Sequence, residues 1–237
     1  LVFRANHDML TGLPNRRLLT ERLQAMIARA ARRNEAVWLM FIDLDRFKLI
    51  NDSLSHRVGD EFLKLLAQRL RDGVRESDVV ARLHGDEFMI ALPESGDAVS
   101  VSRVVQRLMD CIAAPITVAG HELAVSCSAG IAKYPDDGDS PDALIDNADI
   151  AMYKAKELGR NNVQFFEPGM NAHVQERLRM ERALRQALER GEFVMHYQPQ
   201  FDLTSGSQVG IEALLRWDSA EFGMVPPARF IRLASET

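Results

Sequence analysis

The 237 residues, 46% of them hydrophobic and 27% charged, have the composition of a soluble globular protein with one large domain or one and a half smaller ones. The net charge of −5 argues against a nucleic acid partner, and no apolar run approaches the ~20 residues of a membrane span. The chain does not open with a secretory signal, and Cys111 and Cys127 lie in apolar stretches without metal-ligand spacing, which predicts reduced thiols and a cytoplasmic location.

The first two predicted elements are a helix and a buried strand. Residues 16–33 have apolar side chains at helical spacing, and Asn15 can cap that helix. Residues 37–44 form a nearly continuous apolar run, typical of a central strand buried on both faces. This strand ends in Asp43 and Asp45, and charges at the end of a buried strand are costly unless they have partners or line an open site.

Two helices and a β-hairpin follow. We predict a short helix over 46–52 and a longer one over 60–74. Apolar runs at 79–83 and 88–92 are then joined by the polar residues 84–87, His-Gly-Asp-Glu. This pattern predicts a hairpin that presents two carboxylates at a tight turn on a rigid sheet.

The remaining elements complete an α/β (α+β) domain. Helices are predicted over 97–113 and 141–158, short strands within 116–134, and a last strand over 163–166. The order of strands and helices predicts a ferredoxin-like core with a central, mostly antiparallel sheet flanked by helices.

A breaker cluster, Glu-Pro-Gly, ends this domain at 167–169. A charged helix and two strands, over 193–203 and 208–215, come after it. We therefore predict a domain over 1–167, a linker helix over 168–191 and a partial second domain over 192–237.

The acidic residues form the first candidate site. If the hairpin lies beside the central strand, Asp43 converges with Asp86 and Glu87 at one sheet edge. Hard oxygen ligands with room for water suit Mg²⁺, and two such ions can clamp the reacting oxygens in phosphoryl transfer. From spacing alone, turn and N-cap roles explain these acids equally well.

Basic and amide residues could complete a nucleotide site. Lys48 lies near the same strand end, and Lys156 and Arg160, four residues apart on one helix face, could neutralise a triphosphate. Solvated surface charge is the commoner fate of such residues. Asn51 and Asp60 flank a polar loop and could hydrogen-bond to a guanine edge, although capping is their alternative role.

These residues belong to an ordered series of motifs over about 8–166: DMLTGLPNRR, FIDLDRFKLIND, SHRVGDEFL, RLHGDEF, SCSAGIAKYP and ADIAMYKAKELGRNNV. In this order they resemble the GGDEF domain, the bacterial diguanylate cyclase family. The resemblance implies a cyclase or palm-type fold that condenses two GTP molecules into cyclic di-GMP. Because each domain of the family binds one GTP, it also implies a second GGDEF domain that faces the first in a homodimer.

The resemblance also assigns roles to residues. It implies that Asp43, Asp86 and the Leu44 carbonyl hold Mg²⁺ or Mn²⁺, while Glu87 supports the metal or activates the 3′-hydroxyl. The implied substrate contacts are Asn51 and Asp60 for guanine, Lys48, Lys156 and Arg160 for phosphates, and in addition Phe47, His56 and Gly85.

Residues 75–78, Arg-Glu-Ser-Asp, match the RxxD product-inhibition site of the family. The resemblance implies that Arg75 and Asp78 bind cyclic di-GMP, with Arg103 or Arg107 as the secondary arginine. Without the family context, an exposed turn is the simpler interpretation of these four residues.

The sequence departs from the family at two positions. His84 replaces the first glycine of the signature, where glycine gives a positive φ and lets substrate approach the backbone. Loss of cyclase activity and its retention are both compatible with this change. Ser55 stands where the family usually has glycine before His56, and we expect this change to be milder.

The tail resembles the start of an EAL domain, the cyclic di-GMP phosphodiesterase family, through ERALRQALERGEF, MHYQPQFDLTSG and IEALLRW. These domains are TIM-barrel-like, so Glu212 is expected at the C-terminal end of a strand as a metal ligand, near Arg216 and Gln198. With about two strands of the barrel, no complete phosphodiesterase site is expected. We expect the chain to be a fragment of a longer GGDEF–EAL protein that also contains an upstream sensor region and the rest of the EAL domain. We expect that protein to be cytoplasmic, or to be tethered to the membrane by regions outside this chain.

Three functions are therefore compatible with the sequence. The first is a metal-dependent cyclase. The second is a module that binds GTP and regulates a linked phosphodiesterase without making product. The third is a receptor that binds cyclic di-GMP through Arg75 and Asp78 alone.

Overall fold

The structure, a computed structural model, describes residues 5–94 and 98–236. The chain divides into two compact units, residues 1–171 and 172–237. In chain order the elements of the first unit are α1 Arg16–Arg33, β1 Ala36–Leu44, α2 Phe47–Ser53, α3 His56–Asp72, β2 Val79–Arg82, β3 Glu87–Glu94, α4 Ala98–Ala113, β4 Ile116–Val118, β5 His121–Leu123, β6 Cys127–Tyr134, α5 Pro141–Glu157 and β7 Val163–Phe165.

A five-stranded sheet in the order β2-β3-β1-β6-β7 forms the centre of the first unit. Strand β1 pairs antiparallel with both β3 and β6, and among the described strand pairs of this sheet only β6–β7 is parallel. Strands β4 and β5 form a separate antiparallel ribbon. The predicted fold, a mostly antiparallel central sheet flanked by helices, is confirmed.

Burial on both faces explains the apolar run of β1. Met40 and Ile42 point into a core that contains Leu66 of α3, whereas Leu39 and Phe41 point into a second core that contains Leu23 of α1. Alternate residues of one strand therefore fill opposite cores, which is why this strand lacks the polar alternation of a half-exposed strand.

Helix α5 packs directly on β6. A Cβ at Gly130 would overlap the Ala148 carbonyl and the Met152 amide of that helix, so only glycine permits this approach. The close packing matters for the site because the last turn of α5 carries Lys156.

Helix α3 begins earlier than predicted. It starts at His56, so Gly59 and Asp60 lie in its first turns rather than ahead of it. The Ser55 hydroxyl caps the helix by accepting from the Val58 amide at 3.4 Å. This N-cap satisfies a helix N–H group that would otherwise lack a partner, which accounts for the earlier start.

Most of helix α6, Met170–Ala187, lies in the second unit. The other described elements of this unit are β8 Phe193–Phe201, β9 Gln208–Ser219, β10 Gly223–Val225 and α7 Pro227–Glu236. The strands form an antiparallel sheet in the order β10-β9-β8. Trp217, Phe230 and Met180 anchor a small core of this unit. In the described part of the chain, no helix has the length and hydropathy needed to cross a bilayer.

Candidate active site

The β2–β3 hairpin turn lies at the centre of the candidate site. The Glu87 amide donates to the His84 carbonyl at 3.0 Å, and the Leu83 amide donates to the Glu87 carbonyl at 3.1 Å. Gly85 has a φ of 53°, while His84 is not one of the described non-glycine residues with positive φ. The prediction that position 84 needs a positive φ is therefore wrong, because the turn places that conformation at Gly85. Histidine at 84 causes no backbone strain here, so any effect on function must come from the imidazole itself.

A buried arginine braces this turn. The Arg82 guanidinium donates from Nε and Nη2 to the Gly85 carbonyl at 3.0 and 2.6 Å, and from Nη1 to Asp8 Oδ1 at 2.8 Å. Asp8 also accepts from the amide and hydroxyl of Thr11. Burial alone would raise the pKa of Asp8, but the hydrogen bonds from Thr11 and Arg82 hold it below its ordinary value.

Sequence reasoning missed both partners of this brace. Arg82 could have been found from the sequence because it is a charged residue at the end of the otherwise apolar strand β2. Burying such a charge is costly unless it has a partner. Its partner Asp8 lies in the quoted DMLT motif, far away in the sequence.

The predicted acidic residues come together at one sheet edge. The register of β1 and β3 pairs Asp43 with Glu87, and the Leu44 amide donates to the Asp86 carbonyl at 3.3 Å. Carboxylates from two separate segments thus converge at the end of the central strand. Their roles in binding a metal remain a prediction.

Lys156 joins this cluster through an ion pair. Its Nζ lies 2.7 Å from Asp43 Oδ2. Burial raises the pKa of Asp43; Lys156 opposes that shift, and the charges of Asp86 and Asp45 add to it.

The pKa values of Glu87 and of the neighbouring Asp149 are shifted in the same direction as that of Asp43. Burial raises the pKa of Glu87, and although His84 opposes the shift, the carboxylates of Asp43 and Asp149 increase it. The His84 Nδ1 atom lies 3.2 Å from Glu87 Oε2. Burial also raises the pKa of Asp149 on α5, against the charge of Lys156. The cluster therefore holds more carboxylates than nearby cations can neutralise.

This donor set fits a hard divalent cation. Within the described ranges, no group of three or more His, Cys, Asp or Glu residues is arranged as a complete metal site. Mg²⁺ typically takes only one or two protein carboxylates and completes its shell with water and substrate phosphates. An acid-rich edge that lacks a closed cage is compatible with that mode of binding.

The predicted guanine-reading residues lie where α2 meets α3. A Cβ at Gly59 would overlap Oδ1 of Asn51, so glycine lets the Asn51 amide lie against the first turns of α3, beside Asp60. Phe47 is buried and packs on Phe62 at a ring separation of 5.7 Å. Its side chain therefore belongs mainly to the core, while Lys48, His56 and Asp60 are exposed.

The departure at Ser55 is larger than expected. Ser55 has a φ of 143°, a backbone conformation that favours glycine. The expectation of a mild change is wrong in its structural part, because a side chain here makes the backbone strained. The hydroxyl compensates partly by capping α3.

The RxxD residues form a turn beside a second cleft. Asp78 Oδ2 accepts from the Arg75 amide at 2.8 Å, and the Asp78 amide donates to the Arg75 carbonyl at 3.0 Å. A cleft of about 220 Å³ lies here, lined by Arg75, Asp78, Arg22 of α1 and Arg71 of α3. Sequence reasoning missed these last two arginines.

The predicted secondary arginines lie on α4. Arg107 Nη2 donates to the Gly73 carbonyl at 3.0 Å, and Arg103 is exposed on the same helix. Their assignment to a product site remains a prediction.

The predicted residues of the tail lie on β8 and β9. Gln198 and Glu212 are exposed cross-strand neighbours, and Arg216 Nη1 donates to the Leu215 carbonyl at 3.0 Å. The expected position of Glu212 at the C-terminal end of a strand is wrong. Strand β9 continues to Ser219 because it pairs with β8 along nearly its full length and with β10 beyond.

Comparison with known proteins identifies the family. The model of the family described as "Diguanylate cyclase, GGDEF domain" matches residues 5–162, more than half of the chain. The chain belongs to the GGDEF family. A second match, to the EAL domain family, covers residues 181–237 of this GGDEF protein.

The whole chain matches a relative whose name combines two activities. It is 44% identical over 237 residues to the bifunctional diguanylate cyclase/cyclic di-GMP phosphodiesterase MucR of Pseudomonas aeruginosa, a match that covers 100% of this chain and 34% of that protein. The chain thus spans about a third of the length of this curated relative.

Solved GGDEF structures resemble the first unit. The GGDEF domain of TpbB (YfiN) from Pseudomonas aeruginosa aligns with a TM-score of 0.69 and 40% identity, covering 72% of this chain and 99% of that one. The GGDEF domain of DgcB from Caulobacter crescentus, solved in complex with cyclic di-GMP, aligns with a TM-score of 0.62 and 25% identity, covering 68% of this chain and 95% of that one.

Proposed function

We propose that the acidic cluster of this GGDEF domain binds GTP together with Mg²⁺ or Mn²⁺, and that two such domains condense two GTP molecules into cyclic di-GMP. The observation that carries the proposal is the excess of partly buried carboxylate at the edge where Asp43, Asp86 and Glu87 meet, with Lys156 as a neighbouring cation. Such an edge attracts a divalent cation and, through it, a triphosphate. Membership of the GGDEF family supports the same reaction.

In this proposal Asp43, Asp86 and the Leu44 carbonyl hold the cation, which would neutralise charge on the phosphate oxygens. Lys156 and Arg160 bind the phosphates. Asn51 lies against α3 because Gly59 has no side chain to exclude it, and its amide is available to the guanine edge.

Glu87 is the candidate general base. Its raised pKa makes it a better proton acceptor than an ordinary carboxylate at the pH where it is ionised. The bond that forms joins a ribose 3′-oxygen to the α-phosphorus of the facing GTP, the hydroxyl proton passes to the base, and pyrophosphate leaves. Because each ring closure needs two such steps, a second GGDEF domain must face the first.

A second candidate function rests on His84. Its imidazole is 75% exposed at the hairpin tip and lies 3.2 Å from a Glu87 oxygen. The imidazole thus occupies one lone-pair direction of the proposed base and adds bulk where glycine would leave room. On this account the domain binds GTP or cyclic di-GMP and regulates a linked EAL phosphodiesterase without turnover.

One assay separates the two functions. The chain is incubated with GTP and Mg²⁺, and product is quantified by chromatography for the wild type and for H84G, H84A and D86N. Product from the wild type that is lost in D86N supports the cyclase. Product from H84G alone, with GTP bound by the wild type, supports the regulatory module. Absence of product in every variant, together with no binding of either GTP or cyclic di-GMP, would overturn both functions.

A further inference from the structure

Asp45 is a buried carboxylate that the proposed chemistry does not use. It follows β1 by one residue, and its Oδ2 accepts from the Ser126 hydroxyl at 2.7 Å and from the Asn161 amide at 2.9 Å. Its Oδ1 accepts from the buried Ser128 hydroxyl at 2.6 Å, and its own amide donates to the Ser126 carbonyl at 2.8 Å. One side chain thus joins the end of β1, the start of β6 and the loop that follows α5.

The loop that Asp45 holds has an unfavourable backbone. Gly159, Arg160 and Asn161 have φ values of 112°, 65° and 49°. Two consecutive non-glycine residues with positive φ persist only where their surroundings determine the conformation.

Hydrogen bonds fix that conformation on two sides. The Arg160 amide donates to the Ala155 carbonyl at 3.1 Å, and the Asn162 side chain donates to the Arg160 carbonyl at 2.9 Å. These contacts tie the loop to its own helix. The Asn161 amide, by contrast, is tied to the end of the central strand through Asp45. The Ala129 amide of β6 also donates to the Asn162 carbonyl at 3.0 Å, so Asp45 is one of the contacts that fix the loop relative to the sheet, and the one nearest to Arg160.

Both oxygens of Asp45 already accept from protein donors, unlike an acid that is poised to bind a metal. Arg160 lines a cleft of about 380 Å³ together with Asp45, Arg46 and Ser126. The position of Arg160 in this cleft therefore depends on the loop geometry that Asp45 helps to set.

We infer that Asp45 is a positioning residue, which acts through the Asn161 amide to hold Arg160 where it contacts the phosphates of bound GTP. The inference rests on the proposed function, because it assumes that Arg160 binds phosphate. It adds a residue whose effect is indirect and whose contacts can be tested separately from nucleotide binding.

A double-mutant cycle tests the inference. The probe is a GTP analogue that cannot be cleaved between its α- and β-phosphates, titrated with Mg²⁺ in a calorimeter against the full chain. We expect R160A to weaken binding about tenfold, D45A to weaken it nearly as much, and the double variant to be within about twofold of R160A. Equal losses from D45A with and without Arg160 would overturn the inference, because a merely structural role is additive.

The conservative variant and a control sharpen this cycle. In D45N the amide oxygen can still accept from the Asn161 amide while the amide nitrogen donates to a serine hydroxyl, so we expect near-normal affinity. D110A removes an exposed acid of α4 and should leave affinity unchanged. Affinity as poor in D45N as in D45A would contradict the hydrogen-bond role.

Hydrogen exchange of the Asn161 amide, measured by NMR without nucleotide, tests anchoring of the loop by Asp45 separately from phosphate binding by Arg160. We expect a protected amide in the wild type and D45N, and faster exchange in D45A. Unchanged exchange in D45A would overturn anchoring by Asp45 whatever the nucleotide result. Failure of the wild type to bind the analogue would instead overturn the proposed function, and with it the phosphate role of Arg160.

Discussion

Strand β2 separates an acidic turn from an arginine-rich cleft. At its C-terminal end the turn over 84–87 brings Glu87 to Asp43, where burial and the charges of neighbouring carboxylates raise the pKa of both carboxyls. At its N-terminal end the Arg75–Asp78 turn lines a cleft with Arg22 and Arg71. At the first turn carboxylates outnumber cations, and at the second the three arginines outnumber the acids Glu76 and Asp78.

This difference shows how one short strand can serve two ligands. A cluster of carboxylates favours a hard cation, and a cleft in which three arginines outnumber two acids favours a planar or phosphate anion. Under the proposed function the first turn takes the metal and substrate, and the second takes the phosphates of the product.

The largest expected effect comes from removing an acid of the first turn. We expect Asp86→Ala to reduce cyclic di-GMP formation at least ~10³-fold, because charge stabilisation by the metal is lost. The assay is product formation from GTP and Mg²⁺. Asp110→Ala on α4 is the matched control and should remain active. Activity in Asp86→Ala within tenfold of wild type would break the assignment of the acidic turn.

The second-largest expected effect is on stability and comes from removing Arg82, which braces the turn at the end of β2. Arg82→Ala leaves the Gly85 carbonyl and Asp8 without their buried partner, and we expect a loss of about 3 kcal/mol in the free energy of unfolding. The control is Arg33→Ala, which removes an exposed ion pair with Glu35 and should cost less than about 1 kcal/mol. Urea unfolding measures both. Equal losses would show that the turn does not depend on Arg82.

Substitutions in the arginine-rich cleft are expected to have a smaller effect, and this effect is on ligand binding. We expect Arg75→Ala to weaken cyclic di-GMP binding about tenfold in calorimetry, since a charged hydrogen-bond donor is lost. Arg71→Ala should also weaken binding, because Arg71 lines the same cleft. Arg103→Ala tests the sequence-based assignment. Strong weakening by Arg103→Ala, without an effect of Arg71→Ala, would move the site towards α4.

The smallest expected effect is the pH dependence of the free energy of unfolding that Asp43 contributes in the absence of metal. A carboxyl whose folded pKa is raised stabilises the fold fully below its unfolded pKa of about 4, and this stabilisation is lost as pH rises through the folded value. Asn cannot ionise, so in EDTA Asp43→Asn should gain stability relative to wild type as pH rises from about 4 to 7, by less than about 1 kcal/mol. Urea unfolding across this range measures the difference. A constant or shrinking difference would mean that Asp43 is not perturbed by burial.

Much of the first turn could be predicted because its signals are local. The apolar run of β1, the Gly-Asp-Glu turn and the order of elements follow from burial on two faces and from turn chemistry. The same logic does not reach Arg82, whose partner Asp8 lies 74 positions away in the sequence. The conformation of position 84 was misjudged for the same reason, since the guanidinium that holds the Gly85 carbonyl is part of what sets the turn.

The second turn and the tail depend more on tertiary structure. Arg22 and Arg71 reach the Arg75 cleft from two different helices, which no spacing rule reveals. The length of β9 is set by its partners β8 and β10, and for that reason Glu212 lies within a strand rather than at its end.

The most direct test of the central claim is the position of the metal. Crystals grown with Mn²⁺ and an uncleavable GTP analogue would give an anomalous difference map that locates the cation. The account predicts a peak coordinated by Asp43, Asp86 and the Leu44 carbonyl, next to the triphosphate. A bound nucleotide with no cation at these three residues would contradict it.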